Sequence, residues 1–326
     1  MNKPRLLVVS LGGTITMMPS ASGGIAPRLG AEELVASVPA LAEVAEIDAR
    51  SPFRLPSPSL TPPMLVEVAA EIERAFATGC DGAVVVQGTD TIEESAFLLD
   101  LLVGGDRPVV MTGAMRGADA PGADGPANLL AAAIVAASPE ARGLGALVVL
   151  NYDIHAARFV QKTHTTLPSA FASPLVGPLG VVAEGRPRLF TRVARNPVLA
   201  IGDGPPEPIA LLRIPMGDDG RLLDPLPELG FAGAVIEGMG AGHVHADVAP
   251  RLGELARRMP VVLAARPAAG LVFTGTYGYP GGEIDLIARG LVPAGHLSGT
   301  KARLLLGLAL RGGRRDTVAE AFAPYQ

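Results

Sequence analysis

The sequence predicts an α/β fold with two α/β domains: a larger N-terminal domain with a mainly parallel sheet covered by helices, and a smaller C-terminal α/β domain. Its apolar runs are continuous rather than alternating, as in strands that are buried on both faces of a sheet. Segments with helical periodicity separate these runs, which is typical of parallel sheets. The length of 326 residues leaves room for two such domains.

Apolar runs and helical segments alternate along the first half of the chain. The predicted strands are residues 6–10, 83–86, 108–112 and 146–150, and the predicted helices are 31–37, 61–78, 93–102 and 126–137. Each predicted strand is followed by small or polar residues. Binding sites in parallel sheets form in the loops at the carboxyl ends of the strands. We therefore expect the functional residues in these loops.

The second half repeats the pattern over shorter segments. Its predicted strands are residues 209–214, 234–237 and 261–265, and its predicted helices are 248–258 and 300–310. The stretch from about 186 to 208 is rich in Pro, Arg and Gly and lacks periodicity, which indicates a connection between domains. We predict an N-terminal catalytic domain over 1–190, a linker over 191–208 and a C-terminal domain over 209–326.

Composition argues against several classes of protein. A net charge of −5 gives no general attraction to nucleic acid or to an anionic membrane. No uninterrupted apolar run reaches about 18 residues, and the first apolar run is too short for a secretory signal. The single cysteine, Cys80, excludes an intrachain disulfide and fits a reducing compartment. We therefore expect a cytoplasmic protein.

Metal binding is also not expected. His243 and His245 are two residues apart, but no Glu-x-x-His pattern or cysteine pair accompanies them. The Gly-x-Gly-x-x-Gly spacing of a pyrophosphate loop is absent as well. The sequence predicts neither a metal nor another cofactor.

Two strand ends carry hydroxyl groups. Gly12-Gly13-Thr14 follows the first strand and is either a tight turn that presents Thr14 as a nucleophile or a simple connection. Thr89-Asp90-Thr91 follows the strand 83–86. There Asp90 or Thr91 can cap the next helix, and Thr91 with Glu94 fits a capping box. Capping and chemistry are compatible, because one hydroxyl and one carboxylate remain for other work.

Lys162 is an unusual residue for this chain. The 27 Lys and Arg residues include only three lysines, Lys3, Lys162 and Lys301, so routine surface charge is carried by arginine. An amine can lose its proton in a desolvated site, whereas a guanidinium effectively cannot. Lys162 follows the strand 146–150 in a predicted loop. It is either part of a solvated basic loop or a group that shares a proton with Thr89.

Taken together, these motifs resemble the bacterial-type L-asparaginase/glutaminase family of threonine amidohydrolases over essentially the whole chain. The matching stretches are Gly12-Gly13-Thr14-Ile15, Gln87-Gly88-Thr89-Asp90-Thr91, Thr112-Gly113-Ala114-Met115-Arg116, Ala123-Asp124-Gly125-Pro126-x-Asn128-Leu129, Lys162-Thr163-x-Thr165, Gly177-Pro178-Leu179-Gly180, Gly238-x-Gly240-x-Gly242 and Lys301-Ala302-Arg303. The resemblance implies a catalytic N-terminal domain, a smaller C-terminal domain and a homotetramer built as a dimer of dimers.

The resemblance also implies catalytic roles. Thr14 would be the nucleophile, in a mobile N-terminal loop, and would attack the side-chain amide carbon to leave an acyl-enzyme. Thr89, Asp90 and Lys162 look like the second triad of the family, in which Lys162 relays the proton of Thr89. Asp90 would also anchor the α-amino group of the substrate.

Further positions would bind the substrate: Ser57, Pro58, Gly88, Ala114, His243 and Glu283. Ser57 matches the family serine that binds the α-carboxylate, and Ala114 matches the residue whose backbone carbonyl meets the amide. Glu283 falls where the family carries an acidic residue that reaches into the site of a neighbouring subunit.

The sequence departs from the family pattern at three places. Leu11 stands where the family usually has Thr or Tyr-Thr. The loop that includes residues 23–27 lacks the tyrosine that orients the nucleophile, a role that Tyr277 or Tyr279 of a partner chain could take. Pro58 replaces the glutamine of periplasmic members and offers no side-chain donor.

The resemblance implies hydrolysis of L-asparagine to L-aspartate and ammonia. Two alternatives stay open at this point. One is a glutaminase-asparaginase with broader amide specificity, and the other is a non-catalytic amino-acid-binding relative. An amidotransferase subunit that acts on misacylated tRNA is not expected, because that family adds an N-terminal domain and this chain begins at its first strand.

Overall fold

The computed structural model describes residues 3–13, 15, 17–19, 25–27, 30–202, 207–311 and 315–326. The chain forms two compact units, Met1–Val198 and Leu199–Gln326. Part of the predicted linker, residues 203–206, lies outside the described residues, as does the predicted nucleophile, Thr14.

The N-terminal unit contains an eight-stranded sheet in the order β12-β11-β8-β7-β6-β5-β1-β4. Its strands are β1 (Arg5–Ser10), β4 (Glu46–Arg50), β5 (Gly82–Val86), β6 (Val109–Thr112), β7 (Ala146–Leu150), β8 (Asp153–Ala156), β11 (Gly180–Ala183) and β12 (Arg186–Leu189). Strands β4, β1, β5, β6 and β7 pair with one another in parallel, in that order. The predicted mainly parallel sheet is confirmed.

The central strands are buried along their length because helices cover the sheet. Every residue of β5, β6 and β7 is buried, as expected for runs without alternation. The helices of this unit are α1 (Ala31–Ala36), α2 (Leu41–Val44), α3 (Pro62–Ala77), α4 (Ile92–Leu102) and α5 (Gly125–Ala136). The predicted helices at 31–37, 61–78, 93–102 and 126–137 each match one of these to within one residue at either end.

The antiparallel end of the sheet was not predicted. Strands β7 and β8 form a hairpin whose connecting residues, Asn151 and Tyr152, have φ of 50° and 66°. Strands β11 and β12 then extend the sheet. The predicted interdomain stretch therefore begins too early at residue 186, because Arg186–Leu189 is a strand of the main sheet.

The segment after β12 is held to the N-terminal unit by arginines. Arg192 donates from Nη1 to Glu140 O and from Nη2 to Arg142 O, each at 2.7 Å. Arg195 donates to Gly105 O and Val103 O. The first residues of the predicted linker are thus bound along the surface of this unit.

Two short pairs of strands complete the N-terminal unit. β2 (Met17–Pro19) pairs with β3 (Ile25–Pro27), and β9 (Gln161–Lys162) pairs with β10 (Phe171–Ala172), both antiparallel. Lys162 therefore lies on a paired strand and not in a loop, which corrects the sequence-based expectation.

The C-terminal unit is a smaller α/β domain with a parallel sheet in the order β13-β14-β15-β16. Its elements are β13 (Ile209–Arg213), β14 (Gly233–Gly238), α6 (Ala249–Arg258), β15 (Val261–Ala265), α7 (Glu283–Ala288), β16 (Val292–Pro293), α8 (Gly299–Leu310) and α9 (Val318–Phe322). The predicted strands and helices of this half are confirmed, whereas α7, β16 and α9 are too short to show a periodicity. Within the described ranges, no helix is both long and apolar enough to span a membrane.

Candidate active site

The first two loops at the carboxyl edge of the sheet are packed backbone against backbone. Gly13, which follows β1, has φ of +96°, and a Cβ added there would lie 2.0 Å from Gly88 N. Only glycine tolerates both the dihedral angle and the contact. Gly13, the residue before Thr14, therefore packs directly against the loop after β5. The pairing of β1 with β5 sets this approach.

The loop after β5 turns through a 3₁₀ helix at Thr89–Thr91 before α4 begins. Thr89 is 6% exposed, whereas Asp90 is exposed. The turn therefore presents a buried hydroxyl next to a solvated carboxylate at the carboxyl edge of the sheet.

Lys162 joins this hydroxyl and this carboxylate. Its Nζ donates to Thr89 Oγ1 at 2.8 Å and to Asp90 Oδ1 at 2.6 Å. The lysine side chain is only 16% exposed, whereas that of Asp90 is 61% exposed. An ion pair with one exposed partner stabilises a fold by at most about 1 kcal/mol. The three groups instead form an arrangement in which an amine and a hydroxyl can exchange a proton.

The backbone of Lys162 is fixed from two sides. Its N–H donates to Glu93 Oε2 at 2.6 Å, so the first turn of α4 holds strand β9. On the other side Lys162 pairs with Phe171 of β10. Glu93 had no role in the sequence analysis, because nothing in the sequence indicates a contact between residues 69 positions apart.

The residue after β10 is tied to strand β8. Ser173 Oγ lies 2.9 Å from His155 Nδ1, and both residues are buried. Burial lowers the pKa of His155 from 6.5 to about 4, so the imidazole is neutral at neutral pH. The hairpin that carries Lys162 is thus anchored on the main sheet through a neutral histidine.

Ser57 lies against the same loop. It is 3% exposed and begins a 3₁₀ turn, Ser57–Ser59. A Cβ added to Gly88 would lie 2.8 Å from Ser57 Oγ, so the glycine is needed for this contact. Ser57, Gly88 and Thr89 therefore lie together, whereas Pro58, in the same turn, is exposed.

The loop after β6 contains Ala114 and is held by a carboxylate and an amide. Asp124 accepts hydrogen bonds from the N–H groups of Met115 and Arg116 at 3.0 and 2.9 Å. Asn128 Nδ2 donates to Gly113 O at 3.0 Å. Asp124 and Asn128 belong to one of the motifs noted in the sequence, and their spacing of four residues could have indicated a shared helix face.

An open cavity of about 510 Å³ adjoins the lysine. Asp90, Glu93, Lys162, Thr163, His164 and Thr165 line it. The cavity thus exposes the carboxylate and ammonium of the Lys162 cluster to a small polar solute. Among the residues that the structure describes, no group of three or more His, Cys, Asp or Glu residues could hold a metal ion.

His243 and Glu283 form a separate cluster within the C-terminal unit. Glu283 is fully buried, and its Oε1 accepts the N–H groups of Thr276 and Tyr277, each at 2.7 Å. His243 Nε2 lies 3.0 Å from Glu283 Oε2, and His243 Nδ1 lies 3.1 Å from the hydroxyl of Tyr279. Burial raises the pKa of Glu283, but these N–H donors and His243 outweigh it and hold the pKa below its ordinary value.

Comparison with known proteins covers both units. The family described as "Asparaginase, N-terminal" matches residues 5–195, and the one described as "Glutaminase/Asparaginase C-terminal domain" matches residues 208–322. A probable L-asparaginase of Deinococcus radiodurans is 37% identical, over 98% of this chain and 97% of its own length. An L-asparaginase of Bacillus licheniformis is 32% identical, over 95% of this chain and 96% of its own.

A solved structure agrees with the sequence comparisons. The crystal structure of a probable cytoplasmic L-asparaginase from Campylobacter jejuni superposes with a TM-score of 0.86 and 31% identity, covering 98% of this chain and 99% of the other. Since the family descriptions together span nearly the whole chain and the fold agrees, this chain belongs to the asparaginase/glutaminase family.

Proposed function

We propose that this protein is an L-asparaginase, which hydrolyses the side-chain amide of L-asparagine to L-aspartate and ammonia. The observation that carries the proposal is the bridge of Lys162 Nζ between Thr89 Oγ1 and Asp90 Oδ1, at the carboxyl edge of a parallel sheet. The full-length similarity to proteins named L-asparaginase supports the same reaction.

In the proposed reaction, Thr14 is the nucleophile. Its hydroxyl oxygen attacks the amide carbon, the C–N bond breaks, and the nitrogen leaves as ammonia after taking up the proton released from Thr14. Water then hydrolyses the resulting ester, which releases aspartate and restores the hydroxyl. Gly13, which directly precedes Thr14, packs against Gly88, and this contact supports a nucleophile close to Thr89.

Thr89, Asp90 and Lys162 carry the proton in this scheme. Lys162 Nζ relays the hydroxyl proton of Thr89 across the 2.8 Å contact. Asp90 orients the amine and leaves its exposed oxygen for the α-amino group of the substrate. The cavity beside Asp90 and Lys162 gives a small solute access to these two groups.

The remaining contacts to the substrate are assigned by position. Ser57, in the turn that also contains Pro58, binds the α-carboxylate beside Gly88, and the carbonyl of Ala114 receives the amide. We further propose that His243 and Glu283 complete the site of a neighbouring copy, in a homotetramer. Cytoplasmic location is part of the proposal, and the similarity to the protein from Campylobacter jejuni named a probable cytoplasmic L-asparaginase supports it.

L-Glutamine is the second candidate substrate. The C-terminal domain belongs to a family named for both activities. Glutamine carries the same reacting groups as asparagine and one further methylene, which a pocket distinguishes by about 10- to 200-fold.

The test is ammonia release by the purified protein from asparagine, glutamine and other amides. We expect release from asparagine, saturable and independent of added metal, and its loss in Thr14→Ala. If the protein binds asparagine but releases ammonia from none of the amides, it is an amino-acid-binding relative and the proposal is wrong. Full activity in Thr14→Ala would refute the assignment of the nucleophile.

A further inference from the structure

Thr91 occupies the N-cap position of α4 but does not cap the helix. No side-chain cap hydrogen bond is formed there, so the predicted capping role of Thr91 is wrong. Its Oγ1 instead accepts a hydrogen bond from Gln87 Nε2 at 3.1 Å and donates one to Ser57 O at 3.2 Å. The hydroxyl therefore links the end of β5 to the Ser57 turn, 34 residues away in sequence.

The Gln87 end of this link is fixed. Gln87 is fully buried, and its N–H donates to Thr112 O at 3.1 Å. Its carbonyl oxygen would lie 2.5 Å from a Cβ added to Gly113, so the ends of β5 and β6 pack closely against each other. Its Nε2 also donates to Gly88 O at 3.3 Å. Gln87 is consequently a rigid anchor at the end of the sheet.

The Ser57 end depends on the link. Ser57 O also accepts the N–H of Leu60, a bond within the turn that does not attach it to the sheet. Leu55 N donates to Leu11 O at 2.9 Å just before the turn. Among the hydrogen bonds of the described residues, the bond from Thr91 is thus the one that ties the carbonyl of Ser57 to the loop with Thr89 and Asp90.

These contacts set a distance within the proposed site. Ser57 would hold the α-carboxylate of the substrate, and Thr89, next to Gly88, would act at its amide. Asparagine and glutamine differ by one methylene between these two groups. We propose that Thr91 is a positioning residue that fixes the Ser57 turn relative to Thr89 and thereby selects asparagine over glutamine. This inference rests on the proposed function and deepens it.

The test compares Thr91→Val, which removes the hydroxyl at similar volume, with Thr91→Ser, which keeps it. For Thr91→Val we expect kcat/KM for asparagine to fall about tenfold, the loss expected for one hydrogen bond that orders a site. The change should lie in KM, with kcat within about threefold, because the Lys162 cluster stays intact. The ratio of kcat/KM for asparagine to that for glutamine should fall at least about threefold.

Thr91→Ser and two further variants separate positioning from a general loss of stability. Thr91→Ser should remain within about twofold of the wild type. Gln87→Met, which removes the donor to Thr91, should change KM in the same direction as Thr91→Val. Thr78→Val removes a hydroxyl that donates to Ala75 O at the far end of α3 and should leave all kinetic constants unchanged.

The inference is overturned if Thr91→Val keeps the wild-type KM and substrate ratio, or if Thr91→Ser behaves like Thr91→Val. It is also overturned if the variants lower only the melting temperature. Should Thr91→Val fail to fold, Thr91→Ser and Gln87→Met still decide.

Calorimetric titration with L-aspartate separates this inference from the proposed function. A Kd about tenfold weaker in Thr91→Val than in the wild type supports the positioning role, even if the wild type releases no ammonia. An unchanged Kd contradicts the positioning role. It does not bear on whether the wild type hydrolyses asparagine, which the ammonia assay measures separately. A wild-type protein that neither hydrolyses asparagine nor binds L-aspartate contradicts both.

Discussion

Lys162 is the residue on which the account depends most. Its charge is paired with Asp90, but the exposure of Asp90 limits what the pair contributes to folding. Only three of the 27 Lys and Arg residues are lysines, and a guanidinium could not take part in a proton relay. The proposed proton relay therefore accounts for lysine at this position better than a contribution to stability does.

His155 makes a prediction about stability in acid. Its pKa is lowered from 6.5 to about 4 in the folded protein, so between these values the unfolded chain binds a proton that the folded chain does not. The free energy of unfolding should therefore fall as the pH drops from 6.5 to 4, by roughly 3 kcal/mol from this group.

Urea unfolding of the wild type and of His155→Gln at pH 6.5 and pH 4 measures this contribution. Other groups titrate in both proteins, so the difference between the two losses belongs to His155. The variant should lose about 3 kcal/mol less than the wild type over this interval. Equal losses in the two proteins would mean that His155 is not held neutral by burial.

At the scale of elements, the contact between the loops after β1 and β5 can be tested with a pair of glycines. Gly13 and Gly105 both have positive φ, but a Cβ at Gly13 would collide with Gly88 N, whereas one at Gly105 meets nothing within 4 Å. Both alanine variants carry the dihedral strain, about 1–2 kcal/mol for an L-residue. Gly13→Ala should cost a further 1–3 kcal/mol or so from the collision.

The same pair separates activity from stability. Gly13→Ala should also lower kcat/KM, because it displaces the loop with Thr89 and the neighbouring Thr14. Gly105→Ala should keep the wild-type kcat/KM. Equal stability and equal activity of the two variants, by urea unfolding and ammonia release, would show that the two loops do not depend on each other's position.

The predicted and observed elements differ where local sequence patterns stop being informative. Continuous apolar runs identified β1, β5, β6 and β7 because burial on both faces leaves a strong signal. Strands β8, β11 and β12 have only four residues each, and β8 and β12 contain charged residues, so only their pairing with the sheet defines them. Thr91 has the right residue type for a cap. Its hydroxyl instead accepts a hydrogen bond from the buried side chain of Gln87 and donates one to Ser57 O, 34 positions away.

The site shows the same limit. Polar residues after strands indicated Thr89 and Asp90, and the rarity of lysine indicated Lys162. The part played by Glu93 comes from a contact across the fold, with the backbone of Lys162 69 positions away. Spacing in the sequence gives no measure of such contacts.

At the scale of the whole molecule, the proposal that His243 and Glu283 act in a neighbouring copy can be tested by complementation. Lys162→Met and Glu283→Gln should each be nearly inactive alone. Coexpressed with different tags, they form hybrids in which one of two shared sites carries neither substitution. In a random mixture of dimers about a quarter of all sites would then be intact.

Ammonia release by the purified hybrid measures this recovery. Glu283→Gln keeps the oxygen that accepts the N–H groups of Thr276 and Tyr277, so the fold should persist. Hybrids that remain as inactive as either parent, or a fully active Glu283→Gln, would contradict the shared site.

The central claim is that Lys162, held between Thr89 and Asp90, is part of the machinery that hydrolyses asparagine. The most direct measurement is kcat for asparagine in Lys162→Met beside Lys3→Met, whose exposed amine donates to Ala42 O. Lys162→Met should lose at least about a hundredfold, since a positioned proton-transfer group contributes 10²–10⁴. Lys3→Met should match the wild type. A folded Lys162→Met that releases ammonia at the wild-type rate would contradict the claim.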